Sequence, residues 1–157
     1  MMFYRNLLLV CLLVFPFSIQ AKTLLVLGDS LSAAYGIPVH AGWVALLEQR
    51  IIRQELDYKV VNASISGETT IGAKALLNGL LEEKQPSIMI IELGGNDGLR
   101  GFSLDEIERN LKDIINMARA HDCRVLLVPM QLPPNYGPAY NQRFRAVYES
   151  VAKATAV

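Results

Sequence analysis

An apolar run from Thr23 to Leu27 stops at Gly28-Asp29-Ser30, which sets a hydroxyl and a carboxylate at the tip of a strand-like segment. Two further segments have the composition to act with it: Ser64-Ile65-Ser66-Gly67-Glu68-Thr69 and Gly94-Gly95-Asn96-Asp97-Gly98. A serine hydroxyl is a poor nucleophile alone; it needs a base and donors for the oxyanion it creates. Gly67 has no side chain, so a substrate oxygen can approach its backbone N–H closely. Asn96 can donate from its amide without titrating. With the Ser30 N–H these make three uncharged donors, and losing one such donor typically costs about 3–4 kcal/mol of transition-state stabilisation. Each segment alone is also what an ordinary turn looks like, because Gly, Asp, Asn and Ser are common turn formers.

What separates the readings is where these residues fall. Thr23–Leu27, Tyr58–Ala63, Ser87–Leu93 and Arg124–Met130 read as strands that are apolar almost throughout. Between them lie helical patterns: Gly42–Leu56, with Trp43, Leu46, Leu47 and Ile51 on one face; Thr70–Lys84; and a stripe from Ile107 to Ala118 that ends near His121. Ser103 and Glu106 fit a capping box at the start of the third helix. A last helix is expected over Ala139–Ala154. Apolar strands alternating with amphipathic helices imply an α/β three-layer sandwich, a flavodoxin-like parallel sheet in a single domain. In such sheets the ligand site lies beyond the carboxyl ends of the strands. Those ends are followed by the segments containing Ser30, Gly67 and Asn96, and by Gln131-Leu132-Pro133-Pro134-Asn135-Tyr136-Gly137. Their order on successive strand ends favours a nucleophile site over unrelated turns.

"LGDSLS", "NASISGET" and "ELGGNDGLRG" resemble the first three sequence blocks of the SGNH, or GDSL, hydrolases. "LPPNYG" and the amino-terminal segment resemble their secreted bacterial branch of arylesterases, acyl-CoA thioesterases I and lysophospholipase L1-like enzymes. The resemblance covers nearly everything from Thr23 onward. It implies hydrolysis of small acyl esters or thioesters; from the residues themselves no cofactor or metal is expected, since no nucleotide motif follows a strand and the two isolated histidines and Cys123 give no metal-ligand spacing. Ser30 would be the nucleophile, and Gly67 and Asn96 would join the Ser30 N–H in the oxyanion hole. Asp29 would lie beside the substrate, and Gly98, Leu99, Arg100, Leu132 and Pro133 would border an acyl-binding groove.

The family pattern also demands a D-x-x-H block after a fifth strand, and these 157 residues contain none. The expectation is a chain cut short at its carboxyl end, lacking that strand and loop, with impaired turnover. His121 closes a helix at the amino end of the sheet, and His40 sits in a loop; neither is placed as a family base. Two rival readings share the scaffold: a non-catalytic domain that binds acyl chains or glycans, and an acyltransferase.

Composition narrows the remaining classes. Hydrophobic residues make up 52% and charged residues 19%, with a formal net charge of +0, so neither disorder nor a nucleic-acid partner is expected. Arg5, the uncharged run Leu7–Phe17 and Ser18-Ile19-Gln20-Ala21 have the layout of a secretory signal peptide over residues 1–21. The run is shorter than the ~20 residues of a membrane span. A periplasmic or secreted domain over 22–157 is therefore expected, of unknown oligomeric state. Its only cysteine would be Cys123, read as a small buried hydrophobe. Asp29 and Asp97 are read as orienting their turns through local hydrogen bonds, and Trp43 as a core anchor of the first helix.

Overall fold

The computed structural model describes residues 21–157. Met1–Gln20, and with them most of the expected signal peptide, lie outside the described residues. Strands β1 (Lys22–Gly28), β2 (Tyr58–Asn62), β3 (Ile88–Glu92) and β4 (Arg124–Leu127) form one sheet in the order β2-β1-β3-β4, all parallel. Helices α1 (Trp43–Arg53), α2 (Thr70–Lys84), α3 (Gly95–Leu99), α4 (Leu104–Ala120) and α5 (Pro138–Thr155) connect and follow the strands.

The period of two along β1 explains the layering. Leu24 and Val26 pack with Val44 and Ile51 of α1 on one face. Leu25 and Leu27 face the larger core, with Leu77 and Leu81 of α2, Ile107, Leu111, Ile114 and Ile115 of α4, and Phe144, Val147 and Val151 of α5. A strand buried on both faces must be apolar, as β1 is from Leu24 to Leu27. Trp43 packs half-buried against the α1-side core, as expected of a helix anchor. That face is thinly covered at β4, where Leu126 is 56% exposed.

Several boundaries differ from the sequence expectation, each for a local reason. β4 stops at Leu127 rather than Met130, short of Pro129, which has no N–H to donate to a ladder. The segment expected to be loop at Gly95–Leu99 closes into one helical turn, α3. The capping box at Ser103 does not form: its side chain makes no cap bond, and the Ser103 carbonyl accepts the Glu106 N–H instead. Gly94 has φ +101° and lies against the Tyr148 hydroxyl, where a Cβ would collide with that oxygen. Only glycine meets both demands there.

The chain reverses its direction of travel across the sheet between β1 and β3, because β2 lies to one side of β1 while β3 and β4 lie to the other. The crevice at that switch point is the ligand position for this architecture. Ser30 follows β1 and Asn96 follows β3, so the two candidates stand on adjacent strand ends.

The core must hold this edge together. Phe144 is fully buried, meets Tyr148 edge-on at 5.4 Å, and occupies the space a Cβ on Gly98 would need. Phe144→Ala is expected to cost about 3–5 kcal/mol, read from the urea midpoint of unfolding.

Candidate active site

After β1 the chain turns helically, with Ala33 N–H donating to Asp29 O at 2.9 Å and Tyr35 N–H to Ser30 O at 3.0 Å. Asp29 is 3% exposed and its carboxylate works in two directions. Oδ1 accepts the Leu31 N–H at 3.0 Å, which fixes the turn locally, and Oδ2 accepts the Asn96 amide at 3.1 Å, which ties β1 to β3. Asn96 Nδ2 also donates to Glu68 O at 3.0 Å, and Arg100 Nη2 donates to Gly67 O at 3.0 Å. Ile65 N–H donates to Gly28 O at 3.1 Å. These bonds gather the segments after β1, β2 and β3 at one edge. Ser30, Gly67 and Asn96 therefore converge as the sequence implied.

The donors differ in readiness. Among the described residues, the Ser30 and Gly67 N–H groups have no intramolecular acceptor, and neither does the Ser30 hydroxyl. Gly67 has φ +79°, a left-handed conformation that favours glycine. The Asn96 amide instead has an acceptor for each of its protons, so it is oriented in advance. An incoming oxyanion must share or displace one of those acceptors.

No histidine completes this edge within the described residues. His40 lies exposed in a single 3₁₀ turn, Val39–Ala41, and His121 is exposed at the C-cap of α4. Neither is hydrogen-bonded to Ser30. Without such a partner the hydroxyl keeps its proton.

The expected acyl groove is only partly open. Leu99 and Arg100 are exposed and so is Pro133, but Gly98 is buried and Leu132 is 8% exposed within the main core. A Cβ on Gly98 would strike both Phe144 and Leu132. Leu132 thus packs beneath the α3 turn instead of forming an open wall, and Arg100 holds the Gly67 carbonyl. Tyr136 and Tyr140 pin the segment from above, donating to Leu99 O at 3.0 Å and Gly98 O at 3.2 Å. Neither tyrosine was assigned a role from sequence; Tyr136 inside the proline-rich loop and Tyr140 one turn on were the available signal.

Asp97 departs from its expected local role. It accepts the Thr70 N–H at 3.0 and 3.1 Å and the Thr70 hydroxyl at 2.5 Å, across 27 residues. Asn110 donates to the same hydroxyl at 3.1 Å. The carboxylate faces the first turn of α2, where a negative charge is favoured. Cys123 matches its expected role, being 2% exposed, with burial pushing its thiol up to about 11.

A third acid, Glu92, was not anticipated. Its Oε2 accepts the Ser32 hydroxyl at 2.6 Å and, at a long 3.4 Å, the Asp29 N–H, while Oε1 is buried without a partner. Asp29, Glu92 and Asp97 are all buried, yet Glu92 is the least well bonded. Its carboxyl is accordingly raised above the ordinary range, first by burial and next by the nearby Asp29 charge, against the lowering effect of Ser32. Burial, with the charges of Asp97, Glu92 and Asp29, also keeps the Tyr148 phenol protonated beyond the usual range. Its hydroxyl donates to Leu93 O at 2.8 Å.

Residues 26–157 match the GDSL-like Lipase/Acylhydrolase family. Esterase TesA of Pseudomonas aeruginosa is 53% identical over 132 residues, 84% of this chain and 66% of that protein. Thioesterase 1/protease 1/lysophospholipase L1 of Escherichia coli K12 is 46% identical over 133 residues, 85% of this chain and 62% of that protein. The crystal structure of TesA superposes with a TM-score of 0.85 at 51% identity, covering 87% of this chain and 76% of that one. The chain belongs to the GDSL, or SGNH, hydrolase family. It spans 66% and 62% of the length of these two relatives.

The raised Glu92 carboxyl has a definite sign. An acid whose pKa is higher folded than unfolded adds stability at low pH, and that contribution is lost as pH rises through the folded value. Asp29 at the β1 end and Tyr148 on α5 are the titratable groups that act with it, and Asp97 on α3 acts on Tyr148. Glu92→Gln removes this penalty. Its melting temperature relative to wild type is expected to climb between acid and neutral pH, as read by circular dichroism melts across that range.

Proposed function

We propose that the protein is a serine hydrolase of carboxylic esters and thioesters, with Ser30 as nucleophile. The observation that carries this reading is the pair of unpartnered N–H groups, on Ser30 and Gly67, at the edge where Asp29 fixes the Asn96 amide. A carbonyl oxygen placed there is held more strongly by these donors as negative charge develops on it, which lowers the barrier. Ser30 Oγ bonds to the carbonyl carbon, the oxyanion collapses, and the alcohol or thiol leaves with a proton. Water then cleaves the acyl-serine, returning the hydroxyl and releasing the acid.

The proton on Ser30 must pass to a base, and no histidine of residues 21–157 is bonded to it. The D-x-x-H block that family resemblance implies is the source proposed for that base in the whole protein. On its own the present chain is expected to turn over slowly, because removing a triad member leaves roughly 10³–10⁴-fold catalysis over water. The names of the relatives, an esterase and a thioesterase/lysophospholipase, support acyl esters and thioesters as the substrate class. Gly98, Leu99, Arg100 and Pro133 are proposed to border the acyl chain, with Leu132 as the floor beneath Gly98. Export is proposed from the signal-like segment ending at Ala21. Among the described residues, no helix is long and apolar enough to cross a membrane.

One observation favours a second reading, acyl binding without turnover: the Ser30 hydroxyl has no acceptor to take its proton. A fluorophosphonate probe separates the two. Covalent labelling confined to Ser30 and lost in Ser30→Ala supports the hydrolase, whereas reversible acyl binding with no labelling supports the binding domain. With p-nitrophenyl esters, Asn96→Ala is expected to lower kcat by about 10²–10³-fold, and Ser30→Ala to leave only the residual rate that the N–H donors and substrate binding supply. Amino-terminal sequencing of the exported protein is expected to begin after Ala21.

A further inference from the structure

Gly28, Ser32, Asn62 and Glu92 form a constellation directly beneath the nucleophile turn. A Cβ on Gly28 would lie 2.6 Å from Ser32 Oγ and 3.0 Å from Glu92 Oε2, so the missing side chain is what lets those two groups meet. The Ser32–Glu92 bond, 2.6 Å, spans 60 residues of sequence. From the other side, Asn62 Nδ2 donates to Ser32 O at 2.8 Å. Ser32, 2% exposed, is therefore held by the ends of both strands that flank β1. Glu92 touches the turn at a second point, the Asp29 N–H. Ser30 lies between those two anchored residues and makes no side-chain bond of its own.

We propose that Glu92 is a positioning residue for Ser30: by gripping the Ser32 hydroxyl and the Asp29 N–H it fixes the turn, so that the Ser30 N–H and hydroxyl face the opening beside Asn96. This rests on the reading of Ser30 as nucleophile. The grip needs an acceptor oxygen and not a charge. Misplacing a reacting group by about 1 Å can cost on the order of 10²-fold in rate, so a loosened turn is felt in the chemistry before the fold is lost.

The test compares Glu92→Ala, Glu92→Gln and Ser32→Ala with wild type. The readouts are the rate of Ser30 labelling by a fluorophosphonate probe, amide exchange over residues 28–36, and melting temperature. Glu92→Ala and Ser32→Ala are expected to label about tenfold to a hundredfold more slowly and to lose amide protection in that segment, at temperatures well below their melting points. Glu92→Gln, which keeps an acceptor oxygen in the same place, is expected to restore most of the rate and protection. A purely structural role would lower the melting temperature while folded molecules labelled at the wild-type rate, and that result overturns the proposal. If Glu92→Ala does not fold, Ser32→Ala decides, since it deletes a single oxygen. If wild type does not label, as the missing base on Ser30 allows, exchange alone decides. Protection lost in Ser32→Ala then upholds the grip on the turn, and protection retained overturns it.

Discussion

The hydrogen bond from Asn96 Nδ2 to Asp29 Oδ2, 3.1 Å long, is the constraint on which the site depends. It joins the segments that follow the two central strands. The carboxylate that accepts it also sets the turn carrying Ser30, and the amide that donates it also holds the loop carrying Gly67. One buried acid thus coordinates the segments after three strands. Burying a carboxylate costs several kcal/mol unless its oxygens are bonded, and both oxygens of Asp29 are bonded, one to the Leu31 N–H and one to the Asn96 amide.

The acids at this edge are satisfied unequally. Asp97 is saturated by Thr70 and serves the start of α2. Asp29 is bonded at each oxygen. Glu92 retains an oxygen without a partner, and its raised carboxyl follows. No cation reaches these carboxylates through an ion pair among the described residues. Neutral donors carry the load instead. A cation beside Ser30 would also attract an oxyanion, but it would attract anionic ground states as well; neutral N–H groups in a partly buried cleft discriminate better.

Much of this was legible in the sequence because it rests on periodicity and local composition. The strand–helix alternation and the convergence of Ser30, Gly67 and Asn96 follow from patterns a few residues long. The rest depends on contacts between distant segments. Ser103 followed by Glu106 looked like a capping box, but nothing in the tetrapeptide reveals that the Ser103 side chain is not used. The family resemblance implied that Leu132 borders the groove; only the absent Cβ of Gly98, 34 positions earlier, shows that it packs inward. Glu92 carries no local signal within its apolar strand. Its meaning appears only when the Ser32 hydroxyl arrives beside it.

The bonds that define the cleft join residues 60 and 67 positions apart, and the strands beneath them pair in parallel. Such pairings close long loops, which slows folding and places their formation late in the process. Helices form from local contacts and need none of these pairings, whereas the cleft needs all of them. Reactivity of the serine would therefore report completed folding of the sheet more strictly than helical content does, and competence should appear last among the measurable signs of the native state.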